Sequence, residues 1–248
     1  MRIKTTLGLS ILFFVSLVFL KTLYAADVIT NRTGTIKITR PDGIVLTVNK
    51  HEPLPVIPSG STMEVLSGGI DIAPTEGFIQ VVVGNSVATV KAGDSVTASF
   101  EPKTKMASFK SNSGQISVIT GNTTAMIKVS QEALFNLDKR TGVVEVRSVK
   151  GTIETITVGI KTSVSQGAIA MISADPNTRN IRVKSVEGNV IVTSIDGGVI
   201  MLAKAESTDI EGSAEGEIQT FAEEMAVPFV PAEEPVEPER PEASPHIP

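Results

Sequence analysis

Gly77–Ser113 reads GFIQVVVGNSVATVKAGDSVTASFEPKTKMASFKSNS, Gly114–Lys150 reads GQISVITGNTTAMIKVSQEALFNLDKRTGVVEVRSVK, and Gly151–Glu187 reads GTIETITVGIKTSVSQGAIAMISADPNTRNIRVKSVE. The three stretches align without a gap at a period of 37 residues, and a fourth begins at Gly188 and breaks off near Ser207. Their first column is Gly77, Gly114, Gly151 and Gly188, the residue type that takes positive φ at a turn without steric cost. Apolar columns follow at Ile79, Ile116, Ile153 and Val190, and at Val90, Ile127, Val164 and Met201. Ala107 and Phe109, Val144 and Val146, and Ile181 and Val183 form a later pair of columns two residues apart. A spacing of two is the period of a strand with one buried face. Gly84-Asn85, Gly121-Asn122, Asp138–Gly142 and Asp175–Asn177 read as the turns between strands. A fixed period of this length marks one supersecondary unit stacked on its neighbours. The expected fold class is therefore all-β, a repeat-built β-solenoid or β-sandwich-like stack over residues 77–205.

On the N-terminal side, residues 27–76 read as a longer, degenerate first copy. Gly34-Thr35-Ile36-Lys37-Ile38 repeats the opening pattern, and Ile70 and Ile72 stand where the paired apolar columns fall. Pro53, Pro55 and Pro58 donate no ladder hydrogen bonds, which marks this piece as an edge, a loop or a cap. Before it, Arg2 and Lys4 precede the apolar run Leu7–Leu20, and Leu23-Tyr24-Ala25-Ala26 supplies small residues. Residues 1–25 are expected to be a secretory signal, with the mature chain starting near Ala26 or Asp27. The run is shorter than the roughly 20 residues that span a bilayer. The rival reading is an uncleaved anchor, the one membrane contact the sequence offers.

On the C-terminal side the charge changes sign. From Glu206 onward there are 12 acidic residues against the single base Arg240. The whole chain is −5, so with the three bases Arg2, Lys4 and Lys21 set aside, the body between carries +3. In the segment 206–226, Ile218, Phe221, Ala222 and Met225 follow helical spacing. A short helix is expected at 214–226, where Ile218, Phe221 and Met225 would cap the last repeat or dock on a partner. Residues 227–248, rich in Pro and Glu, are expected to be a disordered or extended tail.

Candidates for chemistry are few. The chain has no cysteine, which removes disulfides, thiol catalysis and thiolate metal sites. The two histidines, His51 and His246, lack partners at metal-ligand spacing, and no serine lies in a nucleophile-elbow motif. Asp42, Asp71, Asp94, Asp138, Asp175 and Asp196 read as turn formers, not paired catalytic carboxylates. No cofactor, metal or catalytic site is expected. One column is a candidate site: Lys110, Arg147 and Lys184 follow a buried position, so alternation sends them to solvent on one face. There they would guard a sheet edge, or meet an anionic ligand or the acidic tail. Nucleic acid is not an expected partner, because there is no dense basic patch and stacking aromatics are few.

Gly34-Thr35-Ile36-Lys37-Ile38, Pro58-Ser59-Gly60-Ser61-Thr62-Met63-Glu64-Val65 and Lys91-Ala92-Gly93-Asp94-Ser95-Val96 carry a family pattern. Over Gly34–Phe109 the chain resembles the FecR-type domain of bacterial envelope proteins. That resemblance implies a β-solenoid or sandwich module and a periplasmic setting. In the sensors of that family such domains report receptor occupancy to an anti-sigma segment. Here only six residues precede the apolar run, and no cytoplasmic anti-sigma domain is expected. The sequence thus points to a periplasmic or extracellular, non-catalytic module that binds or scaffolds an envelope protein or polymer. The alternatives are an accessory or sensor component of envelope signalling, and a polysaccharide-active β-solenoid enzyme. Scarce aromatics speak against the enzyme.

Overall fold

The computed structural model describes residues 28–175 and 177–211. The signal-like stretch 1–25, His246, the helix expected at 214–226 with Ile218, Phe221 and Met225, and the tail 227–248 lie outside the described residues. Alternating apolar and polar residues form twenty strands, and no helix occurs among the described residues. The first five are β1 (Ile29–Arg32), β2 (Ile36–Thr39), β3 (Val45–Val48), β4 (Thr62–Val65) and β5 (Gly68–Ile72). Then follow β6 (Phe78–Val83), β7 (Ser86–Lys91), β8 (Ser95–Glu101), β9 (Met106–Ser113), β10 (Ile116–Thr120), β11 (Thr123–Ile127), β12 (Glu132–Asp138) and β13 (Val143–Lys150). The last are β14 (Ile153–Thr157), β15 (Ile160–Val164), β16 (Ile169–Ala174), β17 (Asn180–Glu187), β18 (Val190–Thr193), β19 (Val199–Leu202) and β20 (Ser207–Glu211). The acidic segment that starts at Glu206 therefore opens with a strand.

The strands form two open sheets. One has nine strands in the order β1-β5-β8-β9-β12-β13-β16-β17-β20, the other eleven in the order β19-β18-β15-β14-β11-β10-β7-β6-β4-β2-β3. From β6 onward the chain makes a hairpin in one sheet, crosses, and makes the next hairpin in the other. Neither sheet closes, and a solenoid coil is not formed. The physical reason lies in the short turns at Gly84-Asn85, Gly121-Asn122 and Val158-Gly159, which fold each strand back antiparallel onto its predecessor. A solenoid instead needs strands that run on to the next coil. One ladder departs from the antiparallel rule: β4 inserts beside β6 in parallel.

One core joins both sheets. Ile36, Val81, Val118 and Ile153 from the eleven-stranded sheet and Val96, Phe109, Phe135 and Val183 from the nine-stranded sheet belong to the same buried cluster. Burying each such side chain contributes about 1.5–3 kcal/mol. The Phe109 and Phe135 rings meet edge to face with centroids 6.2 Å apart. The apolar columns at Ile79, Ile116, Ile153 and Val190 are all buried, as are Val90, Ile127 and Val164. Their fourth counterpart, Met201, is exposed, because the longer β18–β19 turn shifts the register by one residue and sets Leu202, which is buried, opposite Val190.

The glycines at 77, 114, 151 and 188 have φ of 59°, 71°, 80° and 73°. Side chains at these crossovers would also collide: a Cβ on Gly188 would lie 2.7 Å from the Ala168 Cβ. A register shift at the start of β8, β12 and β16 (Ser95/Val96, Glu132/Ala133, Ile169/Ala170) lies beside a residue of positive φ, namely Gly93, Ser130 and Gly167. Ser111, Ser148 and Ser185 are buried opposite these shifts. Their hydroxyls donate to the carbonyls of Gly114 (2.9 Å), Gly151 (2.5 Å) and Gly188 (2.9 Å).

Candidate binding surfaces

Strand alternation that buries one face fixes what the other face shows. On the nine-stranded sheet, Lys110 of β9, Arg147 of β13 and Lys184 of β17 all point outward, flanked by the buried Phe109 and Ser111, Val146 and Ser148, and Val183 and Ser185. Carboxylates reach the same face from β12, β13 and β20. Lys110 stands directly opposite Glu132 of β12, and Arg147 Nη2 lies 3.4 Å from Glu145 Oε1 on its own strand. Lys184 faces Met171 and Ser207. Beside it, Arg182 Nε is 2.7 Å from Asp209 Oδ1, and this pairing holds the Asp209 carboxyl below its ordinary range. The cations share a face, but that face alternates in sign.

The outward face of the eleven-stranded sheet is different in kind. The register aligns Val82, Val87, Ile119, Thr124 and Ile156 on β6, β7, β10, β11 and β14 as one row. At about 4.8 Å per strand the row is roughly 19 Å long. Each of these residues is partly or fully open to solvent, Ile119 most of all at 38%. The row continues through Lys161 and Thr193 to Val199 at the sheet edge. Beside Ile156 sits a charged group: Glu154 Oε1 lies 2.9 Å from Lys161 Nζ, and Glu154 Oε2 lies 3.7 Å from Lys128 Nζ. The Lys161 hydrogen bond, then the two positive charges, hold the Glu154 carboxyl below its ordinary range. Val82, Ile119 and Ile156 stand 37 residues apart, one column of the repeat, and strand pairing sets Val87 and Thr124 between them.

Turn acids are mostly where alternation and turn chemistry place them. Asp138 accepts from Thr141 Oγ1 (2.8 Å) and the Arg140 N–H (2.9 Å), and these bonds hold its carboxyl low. Asp175 does the same through the N–H groups of Asn177 and Thr178. Asp196, held low by the Ser194 hydroxyl and then the Gly198 N–H, closes the β18–β19 turn. Asp71 departs from the expectation. It lies within β5, where its Oδ1 accepts from Thr97 Oγ1 at 2.6 Å, because the cross-strand hydroxyl satisfies it. His51 sits on an exposed turn, and no cluster of metal-ligating side chains occurs among the described residues.

An open groove of ≈ 520 Å³ lies at the β19/β20 end of the stack, lined among others by Ile195, Asp196, Ile200, Asp209 and Ile210. At the opposite end the loop 49–61 lies against β1. Arg32 of β1 binds that loop, with Nη2 donating to the carbonyls of Glu52 (2.6 Å) and Lys50 (3.2 Å). Ile57 is buried beneath it. The proline-rich stretch thus forms a loop beside an end, one of the roles its composition allows. Comparison with family models, with curated proteins and with solved structures returns no match to this chain.

Proposed function

We propose that the chain is an exported, non-catalytic β-repeat protein of the FecR-like kind, built of 37-residue units and serving as a binding or scaffolding module of a bacterial cell envelope. The observation that carries this reading is the outward row Val82–Val87–Ile119–Thr124–Ile156. Apolar side chains on a solvent-facing sheet are where partners dock, and a flat row across five strands suits an extended partner. The alternating charges around Lys110, Arg147 and Lys184 make the other sheet a poor clamp for a polyanion, so the apolar row is the favoured contact surface.

The test uses the immobilised chain and two probes, solubilised envelope proteins and peptidoglycan sacculi. Retention of one probe by the chain, lost in Ile119→Lys and Ile156→Lys, is the expected result. Retention that both variants leave intact, or none of either probe, overturns the reading. N-terminal sequencing of the chain recovered from the envelope fraction tests export separately: a start near Ala26 or Asp27 is expected, and an intact Met1 in the membrane means an anchor.

A further inference from the structure

Inside the stack every strand has a neighbour on both sides. Among the described residues the end strands have a neighbour on one side only: β1 and β3 close one end of the two sheets, β20 and β19 the other. We propose that these ends join, the β19/β20 end of one copy seating on the β1/β3 end of the next, so that the chain assembles head to tail into a filament.

Three observations favour a second copy as the occupant. First, both ends expose apolar side chains that a monomer would keep covered. Val199 and Met201 are 66% and 67% exposed, and Ile195 and Ile200 lie beside them in the open groove. At the other end Val45 and Val56 are 52% and 60% exposed, next to Ile44. Soluble proteins usually guard an edge strand with a charge or a proline. The β19 sequence, Val-Ile-Met-Leu, has neither.

Second, the ends differ in charge. Around β19 and β20 stand Asp196, Glu206, Asp209 and Glu211 against Lys204 and Arg182, the latter paired with Asp209. Around β1 and β3 stand Arg32, Arg40 and Lys50 against Asp42 and Glu52. Arg32 Nη1 is buried with no acceptor among the described residues. The segment that follows β20 in sequence, 212–248, carries nine acidic residues and one base. It has the same sign as the β19/β20 end and is the poorer occupant.

Third, the strand directions fit. All eight pairings of the nine-stranded sheet are antiparallel, so β1 and β20 run the same way. The β4–β6 pair is the one parallel pairing among the ten of the other sheet, so β3 and β19 run opposite ways. A copy advanced along the stack therefore presents β3 antiparallel to β19 and β1 parallel to β20, and sheets accept both kinds. Two different surfaces meeting in this way do not close on themselves, and an open filament is the outcome.

The purified full-length chain is followed by sedimentation velocity across a hundredfold range of concentration, alone and as variants. The wild type is expected to form a ladder of growing species. Val199→Lys disables one end and Val45→Lys the other, so each alone stays monomeric. Mixed one to one, each retains the end the other lacks, and the mixture forms dimers and nothing larger. Met201→Lys and Val56→Lys replace them if either first variant loses its far-UV sheet signal. A chain ending at Glu211 is expected to associate as the full chain does. The proposal is overturned by a wild type that stays monomeric throughout, by growth that the single variants do not stop, or by a mixture that fails to dimerise. It is equally overturned if association appears only once residues 212–248 are removed, which makes the chain's own tail the occupant.

Discussion

Two glycine substitutions separate backbone strain from steric collision. Gly167 and Gly188 have nearly the same φ, +79° and +73°. A Cβ on Gly167 meets nothing within 4 Å. A Cβ on Gly188 meets the Ala168 Cβ at 2.7 Å and its Cα at 2.9 Å. Ala168 cannot easily retreat: its N–H donates to the Ser165 carbonyl at 2.9 Å and its carbonyl accepts from the Ser148 N–H at 3.1 Å. Forcing an alanine into the left-handed region costs about 1–2 kcal/mol. The lower entropy of the unfolded alanine variant returns about 0.4–1 kcal/mol. Gly167→Ala should therefore destabilise by about 1 kcal/mol. Overpacking of a tight site adds about 1–3 kcal/mol, which brings Gly188→Ala to about 2–4 kcal/mol. For a body of this size 1 kcal/mol moves the Tm by about 2–4 °C. Thermal melts followed by circular dichroism should place Gly188→Ala about 2–12 °C below Gly167→Ala. Equal melting temperatures, or the reverse order, refute the claim that contact with Ala168 is what excludes a side chain there.

The buried Thr123 and Thr157 hydroxyls lie 2.8 Å apart, so Thr157→Val strands Thr123 and should cost about 1–3 kcal/mol in urea titrations, whereas Thr123→Val with Thr157→Val should recover most of the loss. Ser130 holds φ +66° at an exposed position, so Ser130→Gly should leave the melting temperature unchanged or raise it by a few degrees, about 0.5–1 kcal/mol; a clear drop contradicts the strain assigned to it. Asp138, Asp175, Asp196, Asp209, Glu52 and Glu154 all have lowered carboxyl pKa values in the folded chain. Unfolding then takes up protons, so their contribution is complete above the ordinary carboxylate range and is lost as pH falls through the lowered folded values. Melting temperature should be level near neutral pH and decline below about pH 4, and a rise on acidification contradicts the assignment.

Much of the fold is legible in the alternation of Ile79, Val81 and Val83, or of Ile153, Thr155 and Thr157, and in glycines placed where φ is positive. What the pattern hides are inward polar residues. Ser86 and Thr120, 2.7 Å apart, read as outward positions on any hydropathy scale, yet they are buried because each hydroxyl satisfies the other across two strands. Such a match depends on register between strands 34 residues apart, which no local window contains. Val158, at φ 47°, is hidden for another reason: its turn is imposed by the strands it joins, since valine would not choose it. The candidate surfaces divide in the same way. Lys110, Arg147 and Lys184 are placed on one face by alternation alone, but Glu132 enters beside Lys110 from a strand that the spacing does not pair with it. In the row from Val82 to Ile156 the repeat supplies Val82, Ile119 and Ile156 at intervals of 37, and what pairing adds is Val87 and Thr124 between them.

No two paired residues in either sheet are more than 43 positions apart in sequence, the separation of Ile29 and Ile72. From β6 onward each strand pairs with its own hairpin mate, with one strand of an adjoining unit in the same sheet, or with both. Length is therefore an adjustable quantity in this architecture. Deleting residues 114–150 would remove two hairpins and bring β9 against β16 and β7 against β14, with each surviving strand still offered a partner of the kind it had. Two strands per sheet at about 4.8 Å each make the step roughly 10 Å. A gene built this way holds a ruler that recombination can shorten or lengthen by whole graduations, leaving the features at both tips unaltered.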